Sequence, residues 1–228
     1  DFGTPLWEAF IPGLVLIKEA LGANKRSYVL LPLIDSHNHN SNSTTNLDFD
    51  PRTSAFTLKS TREYKGGEEV SISYGKMTND VIMQRFSFVE KDNPNDAYHI
   101  TRGQVEEILG FVPASLKATD SSSCLTLQRR DGQIQLECGD VRDFSAVLRL
   151  LDPASEPNAR AMLSKVLSGV LSIADAAAQN GDKMIELADD DLDDSSSRRK
   201  MAEEFRIEKL KVLRQAVSTF VVDAQGII

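Results

Sequence analysis

The sequence predicts an α+β fold in which a β-rich part is followed by a mainly helical part. Residues 1–96 consist of short apolar runs separated by turn residues, whereas residues 142–222 carry apolar residues at helical spacing. The chain has 228 residues and is 41% hydrophobic, which is enough to bury a proper core. The change of pattern along the chain therefore indicates two parts with different architectures.

The β-rich part contains three strand patterns and one helix pattern. Residues 28–34 form a continuous apolar run typical of a buried strand, and residues 55–59 and 69–74 have the composition of further strands. A glycine pair at residues 66–67 marks a turn. Residues 79–85 predict a short helix, so this part is expected to consist of short strands joined by turns, with one helix near its end.

The connector between the two parts, residues 97–139, contains one short helix pattern at residues 104–109 and then a β-hairpin. The hairpin, residues 124–138, has two alternating runs around Asp131 and Gly132, which is a strong signal for a two-residue turn. In that register Leu127 faces Leu136. Five apolar side chains then share one face: Leu125, Leu127, Ile134, Leu136 and Cys138.

The two cysteines lie at the ends of this hairpin. In the favoured register Cys124 points away from the apolar face, so we expect two free thiols, with Cys138 in the core. Two cysteines in a chain of this length also suggest a reducing, intracellular compartment. A register centred on Asp131 alone would bring the cysteines opposite each other, but it would place Leu125 against Glu137.

The helical part contains three helix patterns, at residues 144–151, 157–179 and 199–222. The second begins at Pro157, because proline is favoured in the first helical turn, and it ends near Asn180. Gly169 lies inside this second pattern, where glycine is unfavourable.

An acidic run at residues 189–194 separates the last two helix patterns. Its charge density favours a solvated loop, and a docking strip for a basic protein is the alternative. The run lacks the central glycine and the closing glutamate of a calcium loop.

Charge and hydropathy exclude two classes of partner. The formal net charge is −8, and nucleic-acid binding depends on clustered Lys and Arg, so DNA and RNA are not expected partners. No apolar run reaches the ~20 residues that a membrane-spanning helix needs. We therefore expect a protein that binds neither nucleic acid nor membrane.

Residues 35–39 read Asp-Ser-His-Asn-His and follow an apolar run, which invites a metal-site interpretation. His37 and His39 have the His-x-His spacing with which amidohydrolase barrels begin their metal site. Such a site needs further histidines and a barrel of ~250 residues, whereas only His99 follows and the rest of the chain has helical patterns. A metal-dependent hydrolase is therefore the weaker interpretation, and no metal ligand is assigned.

Four motifs occur together in an order that points elsewhere. They read P-L-I-D-S-H-N-H, G-E-E-V-S-I-S-Y-G, N-D-V-I-M-Q-R-F-S-F-V and D-N-P-N-D, and they lie between residues 32 and 96. Each alone is weak, but the set resembles the C-terminal half of the SET domain, in the subgroup of the Rubisco large-subunit lysine methyltransferase. The stretch M-A-E-E-F-R-I-E-K-L-K-V-L-R is similar to the last helix of that subgroup's substrate-binding domain.

The resemblance implies a domain division and an activity. Residues 1–96 would form the C-terminal half of a SET domain, whose segments cross in a pseudoknot, and residues 97–228 would form the helical substrate-binding domain. The implied activity is S-adenosylmethionine-dependent methylation of a protein lysine, with the protein substrate docked on the C-terminal helices.

The resemblance also implies roles for particular residues. Asn38 would bind the cofactor with its side chain and His39 mainly with its backbone. Tyr74 would lie beside the cofactor at the inner end of a narrow channel, where its hydroxyl orients the amine. His37 occupies a variable position of the motif, and Asp35 is expected to tie the loop to backbone donors.

Phe86 and Phe88 would line the substrate pocket. The family pattern at this point is Tyr-Gly-Phe, and here it is Phe86-Ser87-Phe88, so one hydroxyl is missing. This change puts in doubt the number of methyl groups and the choice of lysine over histidine. It also motivates the alternative of a catalytically inactive, protein-binding relative.

The family's cofactor-binding Gly-x-Gly loop does not occur in the sequence. The family also places a Ser-Arg pair upstream of the Asn-His motif, and residues 7–20 offer only Lys18 as a cation. We therefore expect the chain to be a piece that lacks the first half of the SET domain and that binds S-adenosylmethionine poorly by itself.

Overall fold

A computed structural model describes residue 31 and residues 33–53, 55–117, 123–130, 132–186 and 193–221. The chain divides into two compact units, Asp1–Met77 and Thr78–Ile228. The mixture of helices with small antiparallel sheets, and the helical C-terminal region, confirm the predicted α+β class. Predictions for residues 1–30, Pro32, Asp131 and residues 187–192 lie outside the described residues.

The described residues of the first unit include an antiparallel hairpin. Strand β1, Thr45–Asp50, pairs with β2, Ala55–Ser60, and Phe49 faces Phe56 with ring centroids 4.8 Å apart. The prediction of β2 is confirmed. Strand β1 was not predicted, although Leu47 and Phe49 alternate with polar residues as a half-exposed strand requires.

One strand prediction for this unit needs correction, and a second is only partly covered by the described residues. Residues 69–74 form no strand ladder, and only Ile72 makes an isolated bridge, to His39. The described end of the 28–34 run is a 3-10 turn, Ile34–Ser36, and Leu33 before it has a positive φ of 72°. The N–H groups of Ser36 and His37 donate hydrogen bonds back to the carbonyls of Leu33 and Ile34 and close this turn. Residues 28–30 and Pro32 of the run lie outside the described residues. The turn at Gly66 and Gly67 is confirmed.

The second unit contains a three-stranded antiparallel sheet in the order β3-β4-β5. Its strands are Ala97–Thr101, Ser123–Arg130 and Gln133–Glu137. The pairing of Leu127 with Leu136 confirms the predicted hairpin register, and all five residues of the predicted apolar face are buried. Strand β3 was not predicted, because Ala97–Thr101 is short and carries His99 between its apolar residues.

Cys124 departs from the predicted orientation. The register between β3 and β4 shifts after Ile100, which pairs with Leu125, to Thr101, which pairs with Ser123. Cys124 is therefore the extra residue of a bulge, and it is buried in the same core as Cys138 rather than pointing away from it. Both cysteines are free thiols, as predicted.

Six helices lie within the described residues of the second unit. They are α1 Asn79–Phe86, α2 Arg102–Leu109, α3 Ala114–Lys117, α4 Phe144–Leu151, α5 Glu156–Glu186 and α6 Asp193–Phe220. The predicted helices are confirmed, and α4 has the predicted bounds. Helix α5 continues beyond Asn180, and α6 begins six residues before position 199, inside the acidic run. Capping residues explain where two of these helices begin. Thr101 and Gln104 form a capping box at the start of α2, and Asp143 caps the start of α4.

Helix α5 is the centre of the helical core. It contributes Leu163, Val166 and Val170 to the main cluster of buried side chains, which also contains residues of the sheet and of α6. The stretch Glu156–Gln179 is also long and apolar enough to cross a membrane, by length and composition alone. Core helices of soluble proteins pass the same test, and α5 packs against the helices α2, α4 and α6.

Gly169 allows α2 to approach α5 closely. A Cβ atom at this position would lie 2.8–2.9 Å from three side-chain atoms of Ile108. Such distances are too short for carbon atoms in contact, so only glycine fits without a shift. Glycine is unfavourable inside a helix, but at position 169 the close packing of α5 against α2 requires it.

The segment between α1 and β3 is attached to α6 by a buried polar cluster. The amine of Lys209 contacts Asp80 and lies 2.7 Å from Asp96, whose side chain is 1% exposed. Asp96 also accepts hydrogen bonds from the backbone and the side chain of Asn79. Residues 78–96 consequently pack within the helical unit, whereas the predicted family boundary at residues 96/97 stays a prediction.

Candidate functional site

The predicted site residues of the first unit lie where two distant segments run side by side. His39 and Ile72 form a parallel bridge, in which the Ile72 N–H donates to the Asn38 carbonyl at 2.9 Å. The Asn40 N–H donates to the Ile72 carbonyl at 3.0 Å. The hairpin β1–β2 lies between these segments in sequence. The structure therefore brings Asn38, His39 and Tyr74 together, as the resemblance implied.

Tyr74 is held from three directions. Its backbone N–H donates to Nδ1 of His39 at 2.9 Å, and its hydroxyl donates to the carbonyl of His37 at 2.7 Å. The rings of Tyr74 and His39 are 5.1 Å apart. These contacts leave the phenol a single orientation relative to the Asn-His motif.

The same bonds indicate the tautomer of His39. Because Nδ1 accepts a hydrogen bond from a backbone N–H, the proton of the neutral ring is on Nε2, which lies 3.2 Å from the hydroxyl of Ser41. The imidazole therefore acts as a positioning group for Tyr74.

Burial raises the pKa of the Tyr74 hydroxyl above its ordinary value. The phenol is consequently protonated at neutral pH. It can offer a hydroxyl oxygen to a ligand but cannot serve as a general base.

The side chain of Asn38 is oriented by an acidic residue of the second segment. Its Nδ2 donates to the carboxylate of Glu69 at 2.6 Å. Only the amide nitrogen can donate to a carboxylate, so the contact also identifies the other amide atom as Oδ1. Asn38 can therefore present a hydrogen-bond acceptor to a ligand.

The backbone of His39 has a direction that suits ligand binding. In a parallel bridge of this type the hydrogen bonds to Ile72 come from residues 38 and 40, so the N–H and carbonyl of His39 point to the opposite side.

Asp35 and His37 have structural duties. Asp35 accepts a hydrogen bond from the Leu31 N–H at 2.7 Å, as predicted. His37 Nδ1 lies 2.7 Å from the Leu33 carbonyl, within the same turn. Among the described residues, no three His, Cys, Asp or Glu side chains form a group that could hold a metal ion.

Ser43 and Thr45 contribute to the site although the sequence reasoning did not single them out. Both hydroxyls donate to the carbonyl of Ser71 at 2.6 Å, and Thr45 is buried. This double contact holds the segment that ends at Tyr74 against the start of β1. The signal in the sequence is two hydroxyl residues at spacing two, shortly after the Asn-His motif.

Phe86 and Phe88 belong to the second unit, at the end of α1. Their ring centroids are 6.2 Å apart, and Ser87 between them closes the helix in the left-handed conformation, with φ 58°. Glycine adopts this conformation at least cost, which explains why the family pattern Tyr-Gly-Phe has glycine at the central position.

Comparison with known proteins gives one partial similarity. No protein-family model matches the chain. The human "SET domain-containing protein 4" is 26% identical over 103 residues, which cover 45% of this chain and 23% of that protein. The alignment thus spans less than a quarter of the relative's length. This similarity supports a SET-domain family, a family of protein methyltransferases that generally use S-adenosylmethionine.

Proposed function

We propose that the protein containing this chain transfers a methyl group from S-adenosylmethionine to the side-chain amine of a protein lysine. The enzyme would be similar to the Rubisco large-subunit lysine methyltransferase subgroup. The observation that carries this proposal is the contact between Tyr74 and the Asp35–His39 segment. The Tyr74 N–H donates to Nδ1 of His39, 35 positions away, and the Tyr74 hydroxyl donates to the carbonyl of His37. The partial similarity to a SET-domain protein supports it independently.

The reaction makes simple demands on the protein. S-adenosylmethionine, when bound, supplies a methyl group activated by a sulfonium. The protein must align the amine with this methyl group and exclude water, because positioning provides most of the rate enhancement of an in-line displacement.

Asn38 and His39 are the proposed cofactor-binding residues. Asn38 Oδ1 would accept hydrogen bonds from amino groups of the cofactor, with the amide orientation set by Glu69. The N–H and carbonyl of His39 point away from Ile72 and would provide a second pair of contacts.

Tyr74 is the proposed catalytic residue. Its hydroxyl proton is donated to the His37 carbonyl, so the lone pairs of the oxygen are directed away from that bond. An oriented oxygen of this kind can accept a hydrogen bond from the substrate amine and stabilise positive charge developing on it. Since burial keeps the phenol protonated, the lysine must lose its proton without help from Tyr74. Burial of the lysine, whose ordinary pKa is ~10.4, favours that loss.

Phe86 and Phe88 are the proposed wall of the substrate pocket. Phe86 lacks the hydroxyl of the corresponding family tyrosine, so the pocket has one polar atom fewer. We infer that the number of methyl groups transferred differs from that of the tyrosine-containing relatives.

The test is methyl transfer by the complete protein with tritiated S-adenosylmethionine, using as substrate an extract of cells that lack the gene. Tyr74→Phe removes the hydroxyl and should lower transfer at least tenfold. Tyr64→Phe is the matched control, because Tyr64 lies in the same unit and stacks under Arg62 at 3.7 Å, away from His39. Equal rates for Tyr74→Phe and wild type would refute the role of Tyr74.

The missing hydroxyl at Phe86 also favours a second candidate, a protein-binding relative without activity. In that case the complete protein would transfer no label, and Phe86→Tyr would not restore transfer. Label incorporated by the wild-type protein excludes this alternative.

A further inference from the structure

The segment that connects α1 to β3 has an unfavourable backbone conformation beside the proposed pocket wall. Ser87 and Asp92 have φ values of 58° and 53°, and they are two of the three non-glycine residues with a positive φ in the part of the chain that the structure describes. This conformation costs free energy unless surrounding contacts impose it. Ser87 lies between Phe86 and Phe88, so the contacts that hold the segment also decide where the two rings lie.

Asn79, the first residue of α1, closes this segment with its side chain. Its Nδ2 donates to the Glu90 carbonyl at 3.0 Å, and its Oδ1 accepts a hydrogen bond from the Glu90 N–H at 2.9 Å. The side-chain amide therefore pairs with the backbone of Glu90, and the residues between these two positions form a closed loop. Phe86 and Phe88 lie within this loop.

Asn79 is itself fixed by Asp96, which follows the segment. The Asp96 carboxylate accepts hydrogen bonds from the backbone N–H of Asn79 at 2.9 Å and from its Nδ2 at 3.1 Å. The first N–H groups of a helix have no partner inside that helix, and Thr78 provides no side-chain cap, so Asp96 supplies an acceptor for α1. Lys209 of α6 pairs with Asp96 at 2.7 Å. A continuous set of bonds thus runs from α6 to the backbone of Glu90.

Burial makes the asparagine at position 79 specific. Asn79 and Asp96 are both 0% exposed, and both donors and the oxygen of the Asn79 amide have partners. An aspartate here would have no donor for the Glu90 carbonyl, and an alanine would leave both backbone groups of Glu90 without this partner. Capping of α1 needs only the backbone N–H of residue 79. The side-chain amide therefore serves the segment that carries the two rings.

The far end of the segment has a separate anchor. The Asp92 N–H donates to the buried carboxylate of Glu208 at 2.9 Å, and the amine of Lys211 contacts the side chains of Asp92 and Glu208 at 2.7 and 2.9 Å. These bonds do not involve Asn79. Loss of the Asn79 amide should therefore loosen residues 86–90 while Asp92 stays attached to α6.

We propose that Asn79 is a positioning residue for the proposed substrate pocket, and that it fixes Phe86 and Phe88 by pairing with the backbone of Glu90. The proposal rests on the proposed function for the role of the two rings as a pocket wall. Asn79 contacts neither the substrate nor the cofactor in this role. It acts through the backbone that carries the rings, because a wall held in one position aligns the substrate side chain.

Hydrogen exchange of the complete protein, followed by mass spectrometry, measures the positioning without any methyl transfer. Asn79→Ala should raise the exchange rate of the amide hydrogens of residues 86–90 at least tenfold under native conditions. Val147→Ala is the matched control, because it opens a cavity at a fully buried position of α4 and destabilises the same unit. It should change exchange in residues 86–90 less than twofold. Equal exchange of this segment in the two variants would overturn the proposal.

Initial rates of tritium transfer to the extract protein test the consequence for the reaction. Asn79→Ala should lower the rate at least tenfold at limiting extract and change the KM for S-adenosylmethionine less than twofold, because Asn38 and His39 are unchanged. Val147→Ala, assayed at a temperature at which both variants are folded, should change both quantities less than twofold. Equal losses of rate in the two variants would mean that Asn79 has only a structural role.

An exchange of two side chains supplies the rescue. Asn79→Asp/Asp96→Asn keeps the net charge and the acceptor for the Glu90 N–H, and it loses only the donor for the Glu90 carbonyl. Exchange in residues 86–90 should be at least threefold slower than in Asn79→Ala, and no slowing would overturn the pairing with Glu90. Fast exchange in Asn79→Ala of a protein that transfers no methyl group would refute the proposed function but not the anchoring of this segment. Fast exchange with an unchanged transfer rate would overturn the positioning role.

Discussion

The backbone N–H of Tyr74 donates a hydrogen bond to Nδ1 of His39, across a separation of 35 residues in sequence. The bond joins the proposed catalytic residue directly to the proposed cofactor-binding motif. It also makes Nδ1 of His39 the acceptor nitrogen of the ring. The side chain of His39 thus has a role that its motif position did not predict.

Replacement of His39 should separate this role from general packing. His39→Leu removes the acceptor and leaves the Tyr74 N–H unpaired, which costs about 1–3 kcal/mol. His39→Asn places a carbonyl oxygen near the position of Nδ1 and should retain most of the stability. We expect methyl transfer by the complete protein to fall at least tenfold for His39→Leu and less for His39→Asn. Equal loss in both variants would show that the hydrogen bond does not position Tyr74.

Glu69 should control cofactor affinity through Asn38. Glu69→Ala frees the Asn38 amide to rotate, and we expect S-adenosylmethionine to bind the complete protein about three- to tenfold more weakly, as for loss of one charged hydrogen bond. Calorimetric titration measures this change. Glu63→Ala, which removes an exposed carboxylate of the same segment, should leave the affinity unchanged. An unaltered affinity for Glu69→Ala would contradict the orienting role.

Lys209 should be essential for the stability of the second unit. Lys209→Met leaves the buried carboxylate of Asp96 without its cation, which costs about 3–5 kcal/mol. Lys91→Met is the control, because it removes a lysine whose side chain is 73% exposed and lies 3.8 Å from Glu204, and the expected loss is only about 1 kcal/mol or less.

Urea unfolding at neutral pH measures both values. The double variant Lys209→Met/Asp96→Asn should recover part of the loss, because no unpaired charge then remains buried. No recovery would mean that the ion pair is not the source of the effect.

Gly169→Ala should destabilise the protein although alanine is the better helix former. The gain in helix propensity is about 1 kcal/mol, whereas a Cβ atom 2.8 Å from Ile108 requires repacking at about 1–3 kcal/mol. Gly103→Ala is the control, because its nearest neighbour is 3.9 Å away, and it should be neutral or stabilising. Thermal unfolding of both variants tests the sign.

The pair Gly169→Ala/Ile108→Ala extends this test. The second substitution removes the three Ile108 atoms that collide. The double variant should therefore lose less stability than the sum of the losses in the two single variants. If the two stability losses are strictly additive, the contact with Ile108 is not the source of the destabilisation by Gly169→Ala.

Cys124 and Cys138 should make stability fall at alkaline pH. Burial raises the pKa of both thiols in the folded protein, so unfolding releases protons above the ordinary thiol pKa. Their contribution to stability is therefore complete below about pH 8.5, the unfolded value, and is lost as the pH rises through the folded values.

Unfolding free energies at pH 7 and pH 10 measure this effect. The variant Cys124→Ala/Cys138→Ala should show a flatter dependence. Iodoacetamide at pH 8 should modify the native thiols far more slowly than those of the unfolded chain. Rapid modification of native Cys124 would contradict its burial in the β4 bulge.

Local patterns predicted a large part of the fold. The alternation of Leu125, Leu127, Ile134 and Leu136 around a turn dipeptide was sufficient for the hairpin register, because a shift by one residue would expose the whole apolar face. The helices followed from apolar spacing and from caps such as Asp143. Such features depend on residues a few positions apart, so the sequence carries them directly.

The site was predicted by motif resemblance rather than by physical pattern. Asn38, His39 and Tyr74 were identified together, but the contact of Glu69 with Asn38 and the hydroxyl bonds from Ser43 and Thr45 to Ser71 were not. No local periodicity encodes a hydrogen bond between segments some 30 residues apart.

The sequence by itself determined the α+β class, the hairpin register and the helices, and it predicted Tyr74 as a site residue. Tertiary structure alone decided that residues 69–74 pair at a single bridge, that Cys124 bulges into the core, and that Gly169 is required by Ile108. In each case the deciding term is packing or hydrogen bonding with a partner distant in sequence. These energies exist only once the chain has folded and the partner is in place.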